Sequence, residues 1–148
     1  MSGVSIDGKA TRHDLEILRA GIHQAAGLAL RSVVDATAKD AKSTTLFHDQ
    51  SGDTRASIHG DIEEPGRYGF VIAGGASRFL EAGTAPHEIV ARNASALRFV
   101  INGQTFFRHS VHHPGTAERP FMQQARDRGE LYAAYAFEHF IDFAIRAS

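Results

Sequence analysis

The class of fold turns on Leu97-Arg98-Phe99-Val100-Ile101-Asn102-Gly103-Gln104-Thr105-Phe106-Phe107-Arg108. Leu97, Phe99 and Ile101 recur at every second position, the period of a pleated strand with one buried face. Asn102-Gly103 then supplies the two residues that most readily take positive φ in a two-residue hairpin turn, and Gln104 to Arg108 forms the returning strand. Upstream, Thr54, Ala56 and Ile58 alternate with Arg55, Ser57 and His59, and Tyr68, Phe70 and Ile72 alternate with Gly69, Val71 and Ala73. Glu63-Glu64-Pro65-Gly66 supplies a turn between these two runs. The sequence therefore predicts a four-stranded antiparallel sheet. Between the hairpins, Ala82 to Ser95 contains Gly83, Pro86 and Asn93 with little pattern and is expected to be an exposed loop.

Helices flank this sheet on both sides. Leu15, Leu18, Ile22, Ala25, Ala29 and Val33 recur at spacings of three and four, which predicts one helix from about Arg12 to Lys42, roughly 45 Å long. Thr11 and Asp14 resemble a capping box at its start, and Met1–Ala10, with Gly3, Ser5 and Gly8, is expected to be a flexible arm ahead of a single domain spanning residues 11–148. At the other end, Pro120 suits the first helical turn and no proline follows through Arg146. This last helix carries Tyr132, Tyr135, Phe137, Phe140 and Phe143, while Glu138, Asp142 and Arg146 mark only a narrow polar stripe. A helix that is apolar around most of its circumference needs more cover than one sheet face supplies, so these five aromatics are expected to form an oligomer interface. The resulting class is α+β: long N-terminal helix, four-stranded antiparallel sheet, C-terminal helix.

Composition excludes several functions. Sixteen Lys and Arg against seventeen Asp and Glu leave a formal charge of −1, which argues against a protein that grips nucleic acid by neutralising many phosphates. Without cysteine there is no disulfide, thiolate nucleophile or cysteine metal site. No apolar run approaches the roughly 18 residues of a membrane span, and Met1–Ala10 lacks the pattern of a secretory signal, so the expected place of synthesis is the cytoplasm.

The motifs with catalytic potential fall short on spacing. His109, His112 and His113 suggest a metal, but His109 and His113 share one strand face while His112 points away. A histidine-dependent metallo-hydrolase is the rival reading from another class. His87-Glu88 opens like a zinc-protease helix, yet the fifth position is Ala91 instead of His. Gly3 to Lys9 has the spacing of a phosphate loop, but Ala10 stands where a hydroxyl should hold magnesium and no strand can precede it. Arg92, Arg98, Arg108, Arg119, Arg126 and Arg128 concentrate positive charge in the second half, interleaved with acidic residues as on a solvated face. The expectation is no catalytic site, no cofactor and no metal.

Four stretches in order carry a family likeness: Ser51-Gly52-Asp53-Thr54-Arg55-Ala56-Ser57-Ile58, Phe79-Leu80-Glu81-Ala82-Gly83-Thr84, Ala96-Leu97-Arg98-Phe99, and His113-Pro114-Gly115-Thr116-Ala117-Glu118-Arg119-Pro120-Phe121-Met122. Together they resemble the tail-component family of long-tailed bacteriophages, whose members act as neck or tail-completion proteins. The resemblance implies a structural virion protein and not an enzyme: a homo-oligomeric ring, expected to be a hexamer, at the head–tail junction. Its implied neighbours are the connector or stopper on one side and the tail terminator or tail tube on the other. DNA would pass through without sequence-specific binding, and assembly would take place in the host bacterial cytoplasm. A tail terminator ring capping the tail tube is the alternative within the same class.

A closed ring needs two different sticky surfaces per subunit. The aromatic helix is one; His87, Glu88 and Arg92, in the segment expected to loop over the next subunit, are candidates for the other. Gly83 is expected to hold a positive φ after Phe79 and Leu80 anchor in the core, and Pro114 and Gly115 to turn strand into helix. Thr116 or Glu118 is the expected cap, with Pro120 starting the helix and Phe121 locking it to the sheet.

Overall fold

The structure, a computed structural model, describes residues 8–63 and 67–147. The elements run α1 (Gly8–Ser43), α2 (Asp53–Ser57), β1 (His59–Glu63), β2 (Tyr68–Ile72), α3 (Ser77–Ala82), β3 (His87–Val90), β4 (Leu97–Ile101), β5 (Gln104–Arg108), β6 (Ser110–His113) and α4 (Phe121–Ala147). Long helices at both ends and antiparallel strands between them agree with the sequence-derived class. The four-stranded sheet does not: the strands form three two-stranded pairs, β1–β2, β3–β6 and β4–β5.

Helix α1 has 36 residues, about 54 Å at 1.5 Å per residue. It begins at Gly8, so Gly8 to Ala10 are helical instead of part of an arm, and Thr11 lies within the helix rather than at its cap. Residues 1–7 of the expected arm, and Glu64, Pro65 and Gly66 of the expected turn, lie outside the described residues.

Helix α4 runs antiparallel to α1. The Nε of Arg128 donates to the Asp40 carboxylate at 2.7 Å, and the Tyr132 and Ser32 hydroxyls are hydrogen-bonded at 3.0 Å. Helix α4 is continuous through Gly129. A Cβ there would run into the Thr37 Oγ1, whose hydroxyl donates back to the Val33 carbonyl at 2.8 Å, so the two helices approach closely at Gly129.

The buried residues along this seam are mostly small: Ala25, Ala29, Ala38, Ala41, Ala125 and Ala136. The larger core side chains gather where α1 ends. Phe121 and Ile58 are fully buried there, and the Phe121 and Phe47 rings meet edge to face with centroids 4.9 Å apart. Val71, Ala73, Leu80 and Met122 close over them.

The run Thr54 to Ile58, expected as a strand, is the short helix α2 followed by an extended residue. Its turn is fixed by Asp49, whose carboxylate accepts the Gly52 and Arg55 N–H groups at 3.1 and 2.7 Å. Arg55 in turn closes the C-terminal end of α1. Its guanidinium lies 4.7 Å over the Phe47 ring and donates to the carbonyls of Lys42, Thr44 and Phe47. A planar fork with five donors suits three orphan carbonyls at once.

The β1–β2 ribbon packs on α1 through its glycine-bearing face. Gly60 and Gly69 lie against Val34 so closely that a Cβ on either would overlap its side chain. The large residues Tyr68, Phe70 and Ile72 consequently point away from α1 and are exposed.

Candidate assembly interface

Two of the stretches quoted above meet at one clamp. Gly83-Thr84 and Gly115-Thr116 lie side by side, with Thr84 and Thr116 exchanging backbone hydrogen bonds at 2.9 and 3.0 Å. Gly83 has φ 67° and Gly115 has φ 88°. A Cβ on Gly83 would stand 2.6 Å from the Thr116 carbonyl oxygen, and one on Gly115 would overlap the Thr84 carbonyl, so both conformation and space require glycine. The Arg119 N–H donates to the Leu80 carbonyl at 2.8 Å and extends the clamp toward α4.

The start of α4 is capped from across the chain. Both carboxylate oxygens of Glu81 accept backbone hydrogen bonds, from Met122 at 3.0 Å and from Gln123 at 2.9 Å. A carboxylate at a helix N-terminus both satisfies orphan N–H donors and meets the positive end of the helix dipole. Neither Thr116 nor Glu118, the caps expected from sequence, takes these two protons. Pro120 directly precedes the helix and its carbonyl accepts the Gln124 N–H at 3.1 Å, while Phe121 locks α4 chiefly to α1 and the segment around Phe47. Phe79 does not anchor in the core; it is 51% exposed, and Leu80 alone turns inward.

Beyond the clamp the chain leaves the helices as one long two-stranded arm. Ala82 to Ser95, expected to loop, contains β3, which pairs antiparallel with β6: His87 opposite His113, Glu88 opposite His112, Val90 opposite Ser110. Farther out β4 pairs with β5, from Leu97 opposite Arg108 to Ile101 opposite Gln104. The Ala91 N–H donates to the His109 carbonyl at 2.9 Å, and the residues after Ala91, including Arg92, bulge out before β4 begins. Pairs sum to the same register from Thr84–Thr116 to Val90–Ser110, then slip by five residues at the bulge. Asn102 and Gly103 turn at the tip with φ 50° and 79°, as a hairpin of primed type demands. At about 3.3 Å per residue the returning strand from tip to clamp covers roughly 43 Å. The outer hairpin β4–β5 packs to no substantial extent on any other element of the chain.

The arm also carries the histidines. His87 and His113 stack across the ribbon with centroids 5.0 Å apart, each with its Nδ1 hydrogen-bonded to nearby backbone. His109 sits at the break between β5 and β6, and His112 faces away from His113. Among the described residues no three His, Asp or Glu side chains gather as a metal site would require.

On α4 the aromatic residues divide between two faces. Phe137 and Phe140 are half-buried, and Phe140 lines an apolar groove of about 260 Å³ with Ile17 and Leu28, at whose rim the more exposed Phe143 also stands. Tyr132, Tyr135, His139 and Phe143, spaced three, four and four, form an exposed aromatic ladder whose rings follow one another at about 6.0 Å from Tyr132 to His139. Tyr135 is 63% and Phe143 69% exposed, and Leu131 beside them is 80% exposed. Of the five aromatics singled out in the sequence, the structure thus turns Tyr132, Tyr135 and Phe143 outward. His139 was missed, although its spacing of four from Tyr135 was visible.

The accessible surface is 11223 Å². A compact monomer of 16.1 kDa exposes about 7,400 Å² by the size scaling of folded proteins, so this chain exposes about half as much again. No family model, curated protein or solved structure matches the chain.

Proposed function

We propose that this protein is the subunit of a homo-oligomeric ring, a hexamer, in the neck of a long-tailed bacteriophage, where it joins the capsid connector to the tail and lets DNA through. One observation carries the reading: the chain exposes surplus surface together with large apolar side chains on separate elements, among them the Tyr132–Phe143 ladder of α4 and the β-arm. A surplus of about 3,800 Å² is enough for two ordinary interfaces of about 800 Å² per partner each. Two unlike surfaces on one subunit are what a head-to-tail ring uses, since each contact joins one kind of patch to the other. The head–tail location rests on the resemblance of the four sequence stretches, and the formal charge of −1 suits a channel through which phosphates must slide without being held.

Tyr135→Asp and Phe143→Asp are the variants to compare, because both side chains point outward and an unpaired charge there burdens an interface without disturbing the core. Phe140 is less suitable, since it is half-buried where Phe143 is 69% exposed. The parent should sediment as one closed species, imaged by electron microscopy as a ring with an opening wide enough for duplex DNA, and both variants should fall to smaller species. A monomeric parent, or variants with the parent's mass, would refute the reading.

A further inference from the structure

Resting on that reading, we propose that the outer hairpin β4–β5 of one copy packs on the exposed face of the β1–β2 ribbon of the next. Directly opposed residues of an antiparallel pair share a face. On β1–β2 the outward face therefore joins Tyr68, Phe70 and Ile72 of one strand to Glu63, Asp61 and His59 of the other. The three apolar residues are each roughly half exposed, although their strand is held against α1 by the glycine-lined side behind them. An apolar row with a parallel acidic row is unusual as a solvated surface, because the bulky side chains occupy the positions that face water.

The outer hairpin has the complementary character. Leu97 to Arg108 contains no acidic residue and carries Arg98 and Arg108, one on each face. Its apolar residues stand out on both faces: Phe107, at 59% exposed, and Val100, at 55%, share the face of Arg98, and on the other face Ile101 is 53% exposed and Phe99 stacks on Phe106 at 5.9 Å. A two-stranded hairpin with this composition is marginal alone and gains order by packing against another surface. Among the described residues no other element packs substantially on it, whereas a second copy offers a ribbon with Asp61 and Glu63 for Arg98 and three large side chains for Val100 and Phe107, which share one face of the hairpin with Arg98. The arm's reach of roughly 43 Å from the clamp is ample to cross to a neighbouring subunit.

Charge exchange tests the pairing. Arg98→Glu, and separately Asp61→Arg with Glu63→Arg, should each raise the dissociation constant of the assembly at least tenfold, measured by sedimentation velocity across protein concentration, whereas Arg108→Glu, on the other face of the hairpin, should leave it unaltered. Combining Arg98→Glu with the two acidic reversals in one chain should recover most of the loss. Each protein is to be compared by far-UV circular dichroism with the parent, and hydrogen exchange over residues 97–108 in the parent supplies a readout free of substitution: slow in the assembly, fast after dilution to monomer. Fast exchange in the assembly, unaltered dissociation in both reversals, or no recovery on combination would overturn the proposal. If the reversals are silent while Phe143→Asp still breaks the assembly, only the arm contact fails and the ring stands. A monomeric parent removes both. If the arginine reversals instead abolish salt-sensitive binding to duplex DNA and leave the mass unchanged, the arm is a nucleic-acid contact and the proposal falls.

Discussion

Removing the Glu81 carboxylate should destabilise the chain by about 2 kcal/mol. Two backbone N–H groups at the start of α4 depend on it, those of Met122 and Gln123, at 3.0 and 2.9 Å. Hydrogen bonds to a charged acceptor contribute roughly 1.5–3 kcal/mol each when nothing replaces them. Gln123 is exposed, so water takes over most of its bond, whereas Met122 is half-buried and its donor is less easily rescued. Adding about 0.5 kcal/mol for the helix dipole brings Glu81→Ala to about 2 kcal/mol, and Glu81→Gln, which keeps one neutral acceptor, to about half of that. For a chain of 148 residues the larger figure corresponds to a fall in Tm of roughly 6 °C. Urea unfolding at fixed protein concentration, in the Phe143→Asp background to separate folding from assembly, gives the numbers. Glu118→Ala is the control and should change stability by less than about 0.5 kcal/mol, as an exposed residue without a capping bond. Equal effects of Glu81→Ala and Glu118→Ala, or a larger effect of the latter, would refute the assignment of the cap.

Other expectations follow from the same packing. Gly129→Val should cost about 1–3 kcal/mol through overlap with Thr37, and Thr37→Ala in the same chain should return part of it, read as a coupling in a double-mutant cycle. Phe121→Ala, at a fully buried site, should cost about 3–5 kcal/mol in the same urea assay. Gly103→Val should loosen the arm's tip, seen as faster hydrogen exchange over residues 97–108, while leaving the Tm of a monomeric variant within about 2 °C, because among the described residues the outer hairpin packs to no substantial extent on any other element. Duplex DNA should bind with a Kd weaker than about 1 μM at physiological salt, measured by fluorescence anisotropy.

The long helices and the tip of the arm were legible because their signals are local: three-and-four spacing over many residues, and Asn102-Gly103 between apolar runs. Thr54–Ile58 misled because five residues hold too little pattern to separate strand from helix, and the deciding contact comes from Asp49, outside the run. The pairing of β3 with β6 was hidden by the five-residue slip at the bulge, which places partners from either end of the arm in register only after the chain has turned. Which side of β2 is buried was left open, because alternation marks two faces without saying which is inside. Gly60 and Gly69 were the available clue, since glycines on facing strands admit the close approach of a helix. At the candidate interface the quoted motifs were found separately, but their union was not. Gly83-Thr84 and Gly115-Thr116 are the same dipeptide twice, and that repetition was the sequence trace of the clamp.

Whether the surplus surface is built for self-assembly is tested most directly by the mass of the parent protein in solution, by sedimentation velocity or native mass spectrometry at micromolar concentration and above. A single closed species whose mass is six times 16.1 kDa is the expected result. A particle of 16.1 kDa that persists at several hundred micromolar would contradict it.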